Sequence, residues 1–146
     1  MHTHIQSEIL QPIVALAAWS MIMWLWLYIV RIPAMKKAKI NVGNLVGSTG
    51  RNLDDKLEPK AQWVAHNYNH LMEQPTVFYA TALALALMGQ GDGMNAWIAW
   101  GYVILRVLHS LVQALWNKVT VRFTLFSLSS LCLVALVLHA AIAAFH

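Results

Sequence analysis

Two stretches of this chain, residues 9–30 and 123–145, are predominantly apolar along their whole length and hold no Lys, Arg, Asp or Glu. Each is long enough for a helix to cross a hydrocarbon core of ~30 Å, which takes ~20 residues. Between them lie two stretches that are apolar in one half only. Residues 61–74 are rich in His, Asn and Gln and include Glu73, whereas 75–88 are apolar. Residues 94–105 are apolar, whereas 106–117 carry Arg106, His109, Ser110, Gln113 and Asn117. The pattern predicts helices over about 9–31, 60–88, 94–116 and 120–145. They are joined by a 32–59 loop, a tight GQGDG turn at 89–93 and a short corner at 117–120. Pro33 is expected to break the first helix and Pro59 to sit in the first turn of the second. In an up-down order the second and third helices run in opposite directions. Their polar halves then share one depth and face one compartment, the layout of a ligand site at one membrane face. The expected fold class is an all-α integral membrane protein, a single domain over residues 1–146 built as a four-transmembrane-helix up-down bundle.

Composition and charge sharpen this picture. With 59% hydrophobic and 11% charged residues, the 146-residue chain lies outside the soluble globular range. Seven of its ten basic residues, Arg31, Lys36, Lys37, Lys39, Arg51, Lys56 and Lys60, fall in the loop after the first span or at its edges. The net charge of +4 therefore reads as topology. The 32–59 loop and the Lys118/Arg122 corner are expected in the cytoplasm, and both termini and the 89–93 turn outside. Basic residues do not alternate with aromatic stacking positions, so nucleic acid is not an expected partner. Residues 1–8 lack Lys and Arg, and the apolar run that follows is about twice the length of a signal h-region, so the first helix is expected to remain as a span. Cys132, the single cysteine, excludes an intrachain disulfide and sits where packing is its natural role.

The residues that could carry chemistry gather in the polar halves. Gln62, His66, Asn69, His70 and Glu73 recur at spacings of three and four, as do Arg106, His109, Ser110, Gln113 and Asn117, which places each set on one helix face. Glu73 and Arg106 reach similar depth, so an ion pair between them is the cheapest way to keep both charged where each alone costs at least ~2.5 kcal/mol. Such a pair serves either to hold helices together or to meet a ligand directly. Arg122 has no acidic residue near it in sequence and stands where an anion arriving from the cytoplasm would meet it. His109 and His139 read as helix packers. His66 and His70 at i, i+4 lack the glutamate of the zinc-protease helix H-E-x-x-H, and no metal site is expected.

The same residues carry a resemblance. The run N-H-L-M-E-Q-P-T-V-F-Y at 69–79, then R-V-L-H-S at 106–110, Asn117 and Arg122-Phe123, is similar to the MAPEG family, the membrane-associated proteins in eicosanoid and glutathione metabolism. The likeness covers the second to fourth helices, and its joint spacing from Arg106 through His109 to Arg122 is its most specific part. It implies a homotrimer in the membrane, of the kind found in a bacterial inner membrane, with sites between subunits that open toward the cytoplasmic leaflet. It also implies glutathione as cosubstrate. Arg122 would be the catalytic residue, close to the sulfur, and Asn69, Glu73, Arg106, His109 and His66 would bind the tripeptide. The remaining partners would be lipids and a hydrophobic small molecule. The chain departs from the glutathione-using pattern in three respects. The turn before Asn69 has no arginine, the interval from Asn69 to Glu73 is one residue longer, and Gln113, Phe123 and Phe126 stand where hydroxylated residues occur in several catalytic members. Two functions follow: a glutathione-transferase-like protein that activates a thiol near Arg122 for a hydrophobic electrophile or peroxide, or a non-enzymatic lipid-binding or scaffold protein on the same fold.

Overall fold

The computed structural model describes residues 6–146; the first five residues of the expected 1–146 domain lie outside the described residues. All regular elements among the described residues are helical: α1 (Leu10–Lys37), α2 (Pro59–Leu71), α3 (Pro75–Leu87), α4 (Met94–Leu115) and α5 (Val119–Phe145), with two short 3₁₀ turns in the loop between α1 and α2. Three of them, α1, α4 and α5, are long and apolar enough to cross a membrane. The segments α2 and α3 follow one another along a fourth, kinked rod.

That kink is the main departure from the helix expected over residues 60–88. Pro75 has no N–H to give to the Leu71 carbonyl, and its ring crowds that same carbonyl. The ladder switches to three-residue bonds around it: Met72 N–H donates to Asn69 O at 3.0 Å, Glu73 N–H to His70 O at 3.3 Å and Val77 N–H to Gln74 O at 3.0 Å. Pro33, in contrast, does not end α1. It sits near the C-terminal end of the helix on the exposed side, where losing one bond is cheap, and the helix runs on to Lys37. Lys39 then takes a left-handed φ of 55°. Pro59 occupies the first turn of α2, as its fixed φ favours.

Tertiary bonds set the order of the rods. Ile9 N–H donates to Gly91 O at 3.0 Å, and His139 meets Asn95 across 2.6 Å, so the start of α1, the α3–α4 turn and the end of α5 share one end of the bundle. At the other end Lys37 pairs with Glu58, joining the end of α1 to the start of α2. The bundle is therefore up-down. Gly91 is required at the first end: a Cβ there would come within 2.6 Å of Ile9 Cγ2 and 3.2 Å of Ala86 Cα. The α4–α5 corner turns on Asn117, whose φ of +56° is one that asparagine tolerates better than most residues.

The helix α4 lies at the centre. It buries Ala96, Ala99, Tyr102, Val103, Arg106, His109, Ser110 and Gln113, a stripe at spacings of three and four. The apolar half of that stripe packs with Leu16, Met23, Phe78, Leu85, Leu133 and Leu136 into the core. Phe78 stacks on Tyr102 with centroids 4.5 Å apart. Outside, α1 and α5 leave Met21, Leu25, Ile29, Leu131, Val134 and Leu138 exposed, a surface suited to lipid.

Candidate functional site

Packing α2 antiparallel to α4 lines up their polar residues rung by rung. Asn67 Nδ2 donates to Ser110 Oγ at 2.6 Å, Arg106 Nη2 lies 2.7 Å from His70 Nδ1, and Tyr102 Oη donates to Gln74 Oε1 at 3.2 Å. Gln74 Nε2 carries the ladder on to α5 by donating to Ser130 Oγ at 2.9 Å. The expected common depth of the two polar halves is thus met by direct contact. The expected partner of Arg106 is not. Glu73 sits in the kink and points outward, exposed, while Arg106 is 0% exposed and held by His70. Among the described residues the acid–base contacts are Lys37–Glu58 and His66–Asp54, so the Glu73–Arg106 ion pair does not form within the chain. The reason is the break at residues 72–74, which ends α2 before Glu73 and takes it off the face that α2 turns to α4.

Because a guanidinium only donates, His70 Nδ1 accepts from Arg106, and on a neutral ring the proton sits on Nε2. The His70 ring also stacks on His109, with centroids 4.8 Å apart and planes 19° apart, and meets Phe126 edge-on at 5.6 Å. Arg106 Cζ lies 5.8 Å from the Phe126 centroid, so the guanidinium is covered by an aromatic face. Arg106 Nε and Nη1 are buried with no hydrogen-bond partner among the described residues.

In front of this cluster opens a cavity of about 210 Å³, lined by His70, His109, Gln113, Arg122, Phe123 and Phe126, with Val119 at its edge. The short α4–α5 corner puts Arg122 in the first turn of α5, directly across from His109 and Gln113. Its Nε and the Gln113 Oε1 are buried and unpartnered among the described residues. A cation and an amide side chain therefore line a hollow walled mainly by aromatic rings.

The remaining predicted residues gather elsewhere. His66 and Asn69 line a second cavity of about 390 Å³ with Arg31, Arg51, Asp54 and Thr49. The 38–58 loop forms its roof. Arg31 Nη2 donates to Gly50 O at 2.8 Å, Gln62 holds the Asp54 and Leu57 carbonyls, and His66 Nε2 lies 3.2 Å from Asp54 Oδ1. At the loop's end the Lys37 ammonium beside Glu58 holds its carboxyl below the usual carboxylate value. Within one chain the predicted set is thus divided: Arg122 and His109 at the first cavity with Arg106 behind them, His66 and Asn69 at the second, and Glu73 at neither. Sequence reasoning gave Arg31 a purely topological role and left His70 without one. The signal for His70 was present in its place on the polar face of α2; for Arg31 no local signal marks it out from the other loop-edge cations.

The first cavity can stabilise an anion next to aromatic surface, and the second can hold anionic and amide groups. Compared with known proteins, the chain is matched by the family model for the MAPEG family over residues 9–142. No curated protein and no solved structure matches it.

Proposed function

Because the chain belongs to the MAPEG family, we propose that it is a membrane-embedded glutathione-transferase-like enzyme in which Arg122 activates the thiol. The observation that carries this reading is Arg122, with no acid partner among the described residues, lining a hollow together with Phe123 and Phe126. A guanidinium beside a thiol in a partly dry site favours the thiolate, the reactive form. The thiol proton leaves to water, and the thiolate sulfur bonds to an electrophilic carbon of a hydrophobic substrate entering from lipid. As it does, the bond from that carbon to its leaving group breaks and the group departs as an anion, chloride from an aryl chloride.

The second cavity suits the polar ends of glutathione. Arg31 and Arg51 would meet its carboxylates, and Asn69 and His66 its amide groups, while Glu73 stands exposed at the kink, placed to receive the ammonium. Arg106 would act from behind by holding His70, and His109 would line the thiol hollow beside it. Since the two cavities belong to different parts of one chain, the reading includes a homotrimer in which a subunit boundary unites them. It also places this end of the bundle in the cytoplasm, where the basic residues concentrate.

A second reading, a lipid-binding or scaffold protein, is favoured by one observation: among the described residues no hydroxyl group lines the Arg122 hollow, which Val119, Phe123 and Phe126 make apolar. Calorimetry of glutathione on detergent-purified protein, followed by a transferase assay with 1-chloro-2,4-dinitrobenzene, separates the two. The enzyme predicts saturable binding and conjugate formation. Absence of both would leave the scaffold.

A further inference from the structure

A third cavity, about 490 Å³, lies at the opposite end of the bundle from Arg122. His139 on its wall is 17 residues along α5 from Arg122, or ~25 Å at the helical rise. Sequence reasoning gives His139 a packing role only. Its hydrogen bonds say more. Asn95 Nδ2 donates to the Gln90 carbonyl at 2.7 Å, which fixes the amide so that Oδ1 faces His139 Nδ1 at 2.6 Å. A carbonyl oxygen only accepts, so Nδ1 carries the proton. On the neutral ring Nε2 is then a bare acceptor, held in that state by a two-bond relay from the backbone. Such a relay sets which ring nitrogen is available to a ligand.

The cavity tells which ligand. Met88, Met94, Ile142 and Ala143 give it an apolar wall, Gln90, Asn95 and His146 stand beside His139, and no Asp, Glu, Lys or Arg side chain among the described residues lines it. What satisfies Nε2 is a hydroxyl donor on an otherwise apolar molecule, and two methionine thioethers favour an aromatic ring beside them. Since the wall belongs to the ends of spans that face lipid, such a molecule can enter from the bilayer with its hydroxyl at the boundary.

We propose that this cavity is a binding site for a neutral lipophilic phenol, whose hydroxyl donates to His139 Nε2. The site is separate from the thiol site and does not depend on it.

The test compares 4-hexylphenol with hexylbenzene on the full chain in lipid nanodiscs. Binding is followed by the imidazole ¹⁵N resonances of His139, assigned by difference from His139→Phe. The wild type should bind the phenol about ten-fold more tightly than the hydrocarbon, the worth of one hydrogen bond to a half-buried acceptor. The free protein should show Nδ1 protonated and Nε2 bare, and the phenol should shift the Nε2 signal. In His139→Phe the two ligands should bind within about two-fold of each other, since ring bulk remains and the acceptor is gone. Asn95→Ala, which frees the tautomer, should lower the preference several-fold and give mixed tautomer signals; it keeps the test open if His139→Phe does not fold. Equal binding of the two ligands by the wild type overturns the proposal. So does a preference for the phenol that survives in His139→Phe, or an Nε2 found protonated in the free neutral ring.

Discussion

Replacing His70 with Phe isolates the interaction that keeps a guanidinium inside this bundle. Arg106 is 0% exposed, and His70 Nδ1 at 2.7 Å is the only side-chain acceptor it has among the described residues. The next contact, the His70 carbonyl at 3.4 Å, is long. Phe keeps a ring against His109 and leaves the Phe126 face over the guanidinium, so packing changes little and the acceptor alone is lost. A hydrogen bond to a charged group contributes ~1.5–3 kcal/mol, and a buried donor left without its acceptor keeps the cost of its desolvation. That places His70→Phe near the upper end of the range, about 3 kcal/mol of lost stability. Removing the charge as well, in His70→Phe/Arg106→Met, should recover at least about 2 kcal/mol of that loss, because no stranded cation remains. Reversible unfolding in mixed detergent–lipid micelles, followed by tryptophan fluorescence, measures all four corners of the cycle. A His70→Phe protein within about 0.5 kcal/mol of wild type, or losses that simply add, would refute the assignment of His70 as the partner of Arg106.

Three further outcomes follow from the fold. Glu73→Gln should change stability of the same micellar protein by no more than about 0.5 kcal/mol, since the side chain is exposed and has no ion-pair partner among the described residues; a loss of several kcal/mol would show that it is paired after all. Gly91→Ala should cost about 1–3 kcal/mol in that assay, because the new methyl meets Ile9 and the Ala86 backbone; a neutral change would contradict the tight seat of the N-terminal segment on the 89–93 turn. Cysteines introduced at Gln90 and Ser48, both exposed, should label from opposite sides of the membrane, with Ser48→Cys reached from the cytoplasm; labelling from one side would break the up-down order in the bilayer.

Hydrophobic runs and their polar halves made the four rods and their antiparallel order legible, because length and charge placement are read along the chain. The pairing of Asn67 with Ser110 and His70 with Arg106 follows from that order, since antiparallel neighbours meet at a constant sum of residue numbers. The kink was hidden: the apolar run after Pro75 continues without a gap, and only the missing N–H reveals the break. Treating residues 62–73 as one helical face then aimed Glu73 at Arg106, whereas the three-residue bonds at 72–74 turn it outward. Pro33 misled in the other direction, because its cost depends on how near the helix end it lies. The separation of His66 and Asn69 from Arg122 is tertiary: they lie on the side of α2 turned to the 38–58 loop, whereas His70 lies on the side turned to Arg122. The Asn95–His139 contact joins residues 44 apart, and no periodicity marks it.

Ultraviolet absorbance of the thiolate tests the central claim most directly. Glutathione added near neutral pH to wild-type protein should give a saturable thiolate band, because the Arg122 guanidinium stabilises the anion in a partly dry hollow. Arg122→Leu should abolish the band while the protein stays folded, and Arg122→Lys should restore only part of it, since a point ammonium lacks the guanidinium fork. Wild-type protein that shows no thiolate band at saturating glutathione, or a band that persists in Arg122→Leu, would contradict the account.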